Sequence, residues 1–233
     1  MRKKAAVNIC IILITLFLAF TTGTIKAQTH YSSNVSIGAK GGLDISKVFF
    51  SPSVKQKMTL GMNTGVMVRY VEENHFGLIG ELNFAQRGLA ENFEEAPYSY
   101  SRTLIYVDLC FLAHVFFVRR GRFFFNAGPQ VGYYLGETVK SNFDPYNTAD
   151  LPDFPNKNRI NYQLTEPTKI KIDYGISAGL GTEFFINPRN SISLEGRFYF
   201  GLANIFSTKR QDNFGAANQM TISASLGYWF RVK

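Results

Sequence analysis

Eight stretches of this chain carry an apolar residue at every second position, and nothing else in the sequence restricts the fold as much. The last reads MTISASLGYWFRV. Met220, Ile222, Ala224, Leu226, Tyr228, Phe230 and Val232 alternate with Thr221, Ser223, Ser225, Gly227, Trp229 and Arg231. A period of two sends successive side chains to opposite faces of a β-strand. The stretches run over approximately 35–46, 59–71, 76–87, 103–117, 123–136, 169–186, 191–203 and 219–232. Each has about the 9–11 residues that a tilted strand needs to cross a bilayer, or somewhat more. EENH (72–75), RRGRF (119–123) and NPRN (187–190) are short connections; 47–58, 88–102, 137–168 and 204–218 are long ones. Short turns at one rim and long loops at the other predict an all-β, eight-stranded antiparallel up-and-down transmembrane barrel, with the short turns in the periplasm. Pro129, inside a strand, predicts a bulge or bend.

The same alternation suits a soluble barrel, apolar within and polar without. Glycine decides between the two. Thirteen glycines share the polar face (38, 42, 61, 65, 77, 128, 132, 136, 175, 179, 181, 201, 227) and three the apolar face (41, 80, 196). Small residues are kept where space is short, and space is short inside an eight-stranded barrel. The polar face therefore points inward and the apolar face meets outer-membrane lipid. On that register the inward charges are Lys40, Arg69, Arg87, Lys171, Arg197 and Arg231 against Asp44, Glu81, Asp108, Asp173, Glu183 and Glu195. Six against six predicts an interior network of ion pairs, since an unpaired buried ion costs several kcal/mol. Aromatic residues near strand ends suit the membrane interfaces: Tyr70, Phe117, Phe123 and Tyr228 at the periplasmic rim, Phe84, Tyr133, Phe198 and Phe200 in the outer half.

The front of the chain reads as an export signal. Arg2, Lys3 and Lys4 precede a largely apolar run from Ala5 to Phe20, and cleavage is expected between Ala27 and Gln28. The expected division is a signal peptide over 1–27 and a barrel domain over 28–233. Removing the signal takes four of the 25 Lys and Arg and none of the 17 Asp and Glu, so the net charge is +4 rather than +8. The basicity that would argue for a nucleic-acid partner thus belongs mostly to the signal. Of the two cysteines only Cys110 remains, so no intrachain disulfide forms.

IGAKGGLDIS (37–46), ELNFAQRG (81–88), YVDLCFL (106–112), NAGPQVGYYLG (126–136), YGISAGLGTEF (174–184) and ISLEGRFYFGLANI (192–205), in this order and spacing, resemble the PorT-type outer-membrane β-barrel family of Bacteroidetes. Where that family shows a Tyr-x-Glu-x-Pro-Leu-Leu-like segment entering the fourth strand, this chain has Asp108 for the acid and Cys110 for the proline. The resemblance implies the outer membrane of a Gram-negative bacterium. Its name carries a role in type IX protein secretion, an inference from fold alone.

His114 shares the inward face of the fourth strand with Asp108 and Cys110, which invites a Cys/His/Asp hydrolase reading. A hydrogen-bonded interior histidine beside a buried thiol is the stronger reading. No metal spacing appears among His and Cys, and no cofactor is expected. With charged and aromatic side chains filling it, the barrel is expected to be closed to ions. The expected role is non-enzymatic, structural or binding, carried by the outer loops. An accessory part in a type IX-like secretion machine and a hydrolase at the rim are the alternatives. Besides lipid, the expected partners are the barrel-assembly machinery during insertion, and secretion-system or surface proteins. In the loop 137–168, Phe143, Tyr146, Phe154 and Tyr162 are candidate contacts; a lid over the barrel mouth explains the same aromatics as well.

Overall fold

In a computed structural model, the described residues are 33–72, 74–93, 97–118, 121–148, 151–154, 162–206 and 215–232. The expected cleavage point at Ala27 and Gln28 lies outside them. Eight long strands form the wall: β1 (Asn34–Ser51), β3 (Thr59–Val71), β4 (Phe76–Glu91), β5 (Tyr100–Val118), β6 (Arg122–Ser141), β7 (Ile172–Phe185), β8 (Asn190–Asn204) and β9 (Ala216–Arg231). The two-residue strand β2 (Gln56–Lys57) adds to the outer end of β4. Each long strand pairs antiparallel with its neighbours in sequence, and β1 pairs with β9, so the sheet has no free edge. Among the described residues no helix is long and apolar enough to cross a membrane. Strands make the crossing, because a closed ring satisfies every backbone donor and acceptor within the wall.

Register fixes the width. The partners Ile45, Ile222, Phe198, Ala178, Ala127, Ala113, Leu78 and Tyr70 lead once around the ring and back to β1 at Val35, ten residues from the start. Eight strands with that shear leave an interior just wide enough for side chains. Val35 to Ile45 is also the outward apolar stretch of β1, ended by Lys47. At a rise of about 3.3 Å per residue and a tilt near 40°, it spans roughly 25 Å, the height of a lipid-facing band. Leu43, Leu60, Val66, Phe111, Leu180 and Leu226 stand on that band, each about half or more exposed.

Most of the inward glycines sit against backbone. A Cβ on Gly128 would lie 2.0 Å from the Phe111 carbonyl oxygen, and one on Gly42 2.2 Å from that of Ala224. The outward Gly80 and Gly196 have nothing within 4 Å. None of the described glycines has positive φ, so space rather than backbone conformation selects them. Gly128→Ala is expected to destabilise by about 1–3 kcal/mol through overpacking. Gly80→Ala is expected to be neutral or to stabilise by up to about 1 kcal/mol, by restricting the unfolded chain. Urea unfolding in lipid vesicles measures both; equal effects would refute this account of the wall.

Two local expectations need correction. Pro129 lies opposite Ile176 in unshifted register, so it makes no bulge. The irregularity comes at Leu135, where β6 gains one residue against Ile105 and Tyr106 of β5. Beyond it the faces exchange: Gly136 points outward with nothing near its Cβ, and Glu137 turns toward Arg102. The strands also run past the lipid band at their outer ends. The connections are therefore shorter than the alternation suggests, at 52–58, 92–99 and 205–215, apart from the long 142–171.

Candidate functional site

Period-two geometry delivers the polar side chains of all eight strands to one axis, where three charged tiers stack. In the tier nearest the periplasm, Glu183 accepts both Nη groups of Arg69 at 2.8 and 2.9 Å, Arg122 at 3.0 Å, and the Ser191 hydroxyl. The Arg69 guanidinium lies over Trp229 and that of Arg122 over Phe116, each 4.3 Å from the ring centre. In the middle tier Glu81 accepts Lys40 at 2.6 Å and Arg197 at 2.6 and 2.8 Å; Arg197 also holds Glu195. Above it, Arg87 bridges Asp108 and Asp173 between the rings of Tyr106 and Tyr199. Tyr199 donates to Asp173, Gln130 to Asp108, and Asn63 to Asp44. All these carboxylates are buried, and each has donors aimed at it, which is the condition for keeping charge away from water. The two gaps between the tiers have room for a few waters at most.

Ten of the twelve charges expected inside stand in these tiers. Lys171 and Arg231 do not. Lys171 precedes β7 and is exposed, because the inward parity of that strand has already left the barrel at this height. Arg231 is half-buried at the periplasmic mouth. One further member of the tiers, Arg122, and two charges above them, Arg102 and Glu137, lie outside the twelve. The first two hold the inward parity of Phe124 and Leu104, a signal hidden by assigning them to connections; Glu137 is inward only because of the bulge.

Asp108, Cys110 and His114 share a face, yet each is engaged elsewhere. Asp108 is tied to Arg87, Cys110 accepts from Asn83, and His114 Nδ1 meets the side-chain oxygen of Asn126 at 2.7 Å. His114 is fully buried between the rings of Phe116 and Phe124. The three make no relay.

Above the third tier the interior turns apolar. Val48, Phe50, Leu89, Phe93, Tyr100, Leu104, Phe154, Leu164 and Phe206 form one cluster, with Phe143 and Tyr98 packed against it. The connection 142–171 supplies part of this plug and is fastened from below. Arg102 grips Glu137 with two Nη contacts at 2.7 and 2.8 Å and donates to the Glu166 carbonyl at 2.7 Å. Gln163, at the start of the short helix Tyr162–Thr165, donates to Glu91 at 2.7 Å, and Tyr100 to the Leu164 carbonyl at 3.0 Å. For two of the four candidate contacts in this connection the structure shows the lid arrangement. Phe154 is 7% exposed and Phe143 is half-buried, because both pack against Phe93 and Tyr98. The side chain of Tyr162 lies outside the described residues. Of the other three, Tyr146 stands in solvent, 82% exposed, on a turn held by its own N–H to the Asp144 side chain.

The family model described as outer membrane protein beta-barrel domain matches residues 26–207. No curated protein matches the chain. Among solved structures, it is similar to Ail, the attachment invasion locus protein of Yersinia pestis, in complex with the heparin analogue sucrose octasulfate (14% identity, 84% of this chain and 99% of that one, TM-score 0.40). Neisserial surface protein A shares 8% identity over 84% of this chain and 97% of that one, with a TM-score of 0.46. OprG from Pseudomonas aeruginosa shares 8% over 87% and 97%, with a TM-score of 0.48.

Proposed function

This chain belongs to the outer membrane protein β-barrel domain family, and from that premise we propose that it is a closed, non-enzymatic scaffold that displays its outer cap for binding. One observation carries the reading: the axis is filled from end to end, by three ion-paired tiers and then by an apolar plug. A filled axis supports neither a pore nor a substrate cleft. What remains is the surface that the barrel holds still, and a rigid scaffold with loops at one end is a common way to build a binding surface. Tyr146, an exposed aromatic fixed on a turn, is the best placed anchor on that cap.

Two experiments test the parts separately. Purified protein in planar bilayers is expected to pass no steady current; sustained ion-selective openings would overturn the closed barrel. On cells, Tyr146→Ala is expected to leave the amount of folded protein unchanged while weakening whatever surface adhesion or phenotype the parent confers. Truncating one central aromatic anchor typically costs about 2 kcal/mol or more of binding. If that variant, and a Gly/Asn replacement of 144–148, both behave as the parent does, the cap is not the binding surface.

A further inference from the structure

We propose that the periplasmic mouth of the barrel is a binding site for a single oxyanion, a carboxylate or a phosphate. Four guanidinium groups gather there: Arg69 and Arg122 of the lowest tier, Arg231 at the end of β9, and Arg189 in the turn 186–189. Glu183 is the one described carboxylate bonded to any of them, and it is already saturated by Arg69, Arg122 and Ser191. The mouth therefore carries an excess of positive charge. Arg69 and Arg122 each leave a buried Nε–H without an acceptor, and buried donors of that kind are costly unless something meets them.

Three of the four, Arg69, Arg189 and Arg231, line a concavity. Ser36, Arg69, Arg189, Ser191, Trp229 and Arg231 line a shallow pocket at this end of the axis. The Arg231 N–H donates to the Arg189 carbonyl at 2.7 Å, which keeps the two arginines side by side across the β7–β8 turn. Among the described residues neither side chain is paired with a carboxylate. Guanidinium forks match the planar carboxylate and the phosphate face alike. The Ser36 hydroxyl stands at the wall and the buried Trp229 ring at the floor, where a lower local dielectric strengthens such contacts. The opening faces the periplasm, so the ligand is an anionic group presented there and not a lipid headgroup of the outer leaflet.

Trp229 is the only tryptophan in the chain, lines the pocket and stacks on Arg69, so it reports directly on occupancy. The full-length protein, folded in detergent, is titrated with inorganic phosphate and separately with acetate. Ionic strength is held constant with sodium chloride, and Trp229 emission is read beside equilibrium dialysis of labelled phosphate and labelled acetate. A saturable response to at least one oxyanion, absent with chloride, is expected. Tighter phosphate binding assigns the site to phosphorylated ligands, and tighter acetate binding to carboxylates. The double variant R189Q/R231Q changes only rim side chains and is expected to keep the heat-dependent gel migration of the folded barrel. It should bind about tenfold more weakly, as loss of charge-assisted contacts implies. Absence of saturable binding in both readouts, or a double variant that binds as the parent does, would overturn the site.

Discussion

Arg87→Met is expected to remove roughly 3–5 kcal/mol of stability, the usual cost of taking one partner from a buried ion pair. Arg87 is among the largest fully buried side chains of the barrel. It reaches Asp173 at 3.0 Å through one Nη and both oxygens of Asp108 through the other. Its faces are covered by Tyr106 and Tyr199, each 4.7 Å from the guanidinium carbon. Methionine fills much of the same volume but leaves two carboxylates facing each other with no cation between them. The cost then comes from stranded charge and not from a cavity. That distinction is testable. In the triple variant R87M/D108N/D173N no charge is stranded, and most of the lost stability is expected to return, because neutral replacements of whole buried ionic clusters are often harmless. Urea unfolding in lipid vesicles gives both values. If R87M loses less than about 1 kcal/mol, or the triple variant is no more stable than R87M, the tier is not held by charge pairing.

The lipid-spanning part of this design is legible in the sequence because two solvents act on two faces. Lipid outside excludes charge, a narrow axis inside demands small or paired residues, and the strand period separates the two sets cleanly, as at Leu194, Glu195, Gly196, Arg197 and Phe198. Above the band the outer solvent becomes water, and the rule inverts. On β1, Lys47 faces out while Val48 and Phe50 turn into the plug; on β5, Ser101 and Thr103 face out while Tyr100 and Leu104 turn in. A reader looking for apolar-out alternation stops where the sign changes, and assigns the rest to loops. Arg102 and Glu137 lie beyond that change of sign, on a ladder whose pairing continues without a break beyond the bulge. The fate of the loop aromatics is invisible for a different reason. Whether Phe154 binds a partner or its own barrel depends on contacts with Phe93 and Tyr98, some sixty residues away in sequence, and composition holds no trace of that choice.

Arg102→Ala is expected to release the cap while leaving the barrel closed and inserted. Arg102 is the point at which the wall and the connection 142–171 are joined: it holds Glu137 on β6, the Glu166 carbonyl and the Thr168 hydroxyl at once. The Glu137 side chain is about a quarter exposed, so water recovers part of what the pair loses. The expected cost is therefore about 2–4 kcal/mol, below that of a fully enclosed pair. Most of it falls on the cap through the bonds to the Glu166 carbonyl and the Thr168 hydroxyl, because the Glu137 pair joins β5 to β6 in a wall that its ladders and tiers already hold; local opening draws only on the contacts of the segment that opens. At about 1.4 kcal/mol per tenfold, the open cap becomes roughly 30- to 1,000-fold more populated. Limited proteolysis reads that population directly when opening is fast relative to cleavage. Cutting within 142–171 should accelerate by that factor, while the cut protein still migrates as a folded barrel before boiling. Arg102→Lys keeps the charge but loses the fork and most of its simultaneous bonds, so its cutting rate should lie nearer to alanine than to the parent. Glu137→Gln, which leaves the bonds from Arg102 to the cap in place, should have the smallest effect of the three. A parent-like rate for Arg102→Ala would mean that the aromatic plug holds the cap by itself, with Phe154 and Leu164 sufficient to keep it down without the arginine.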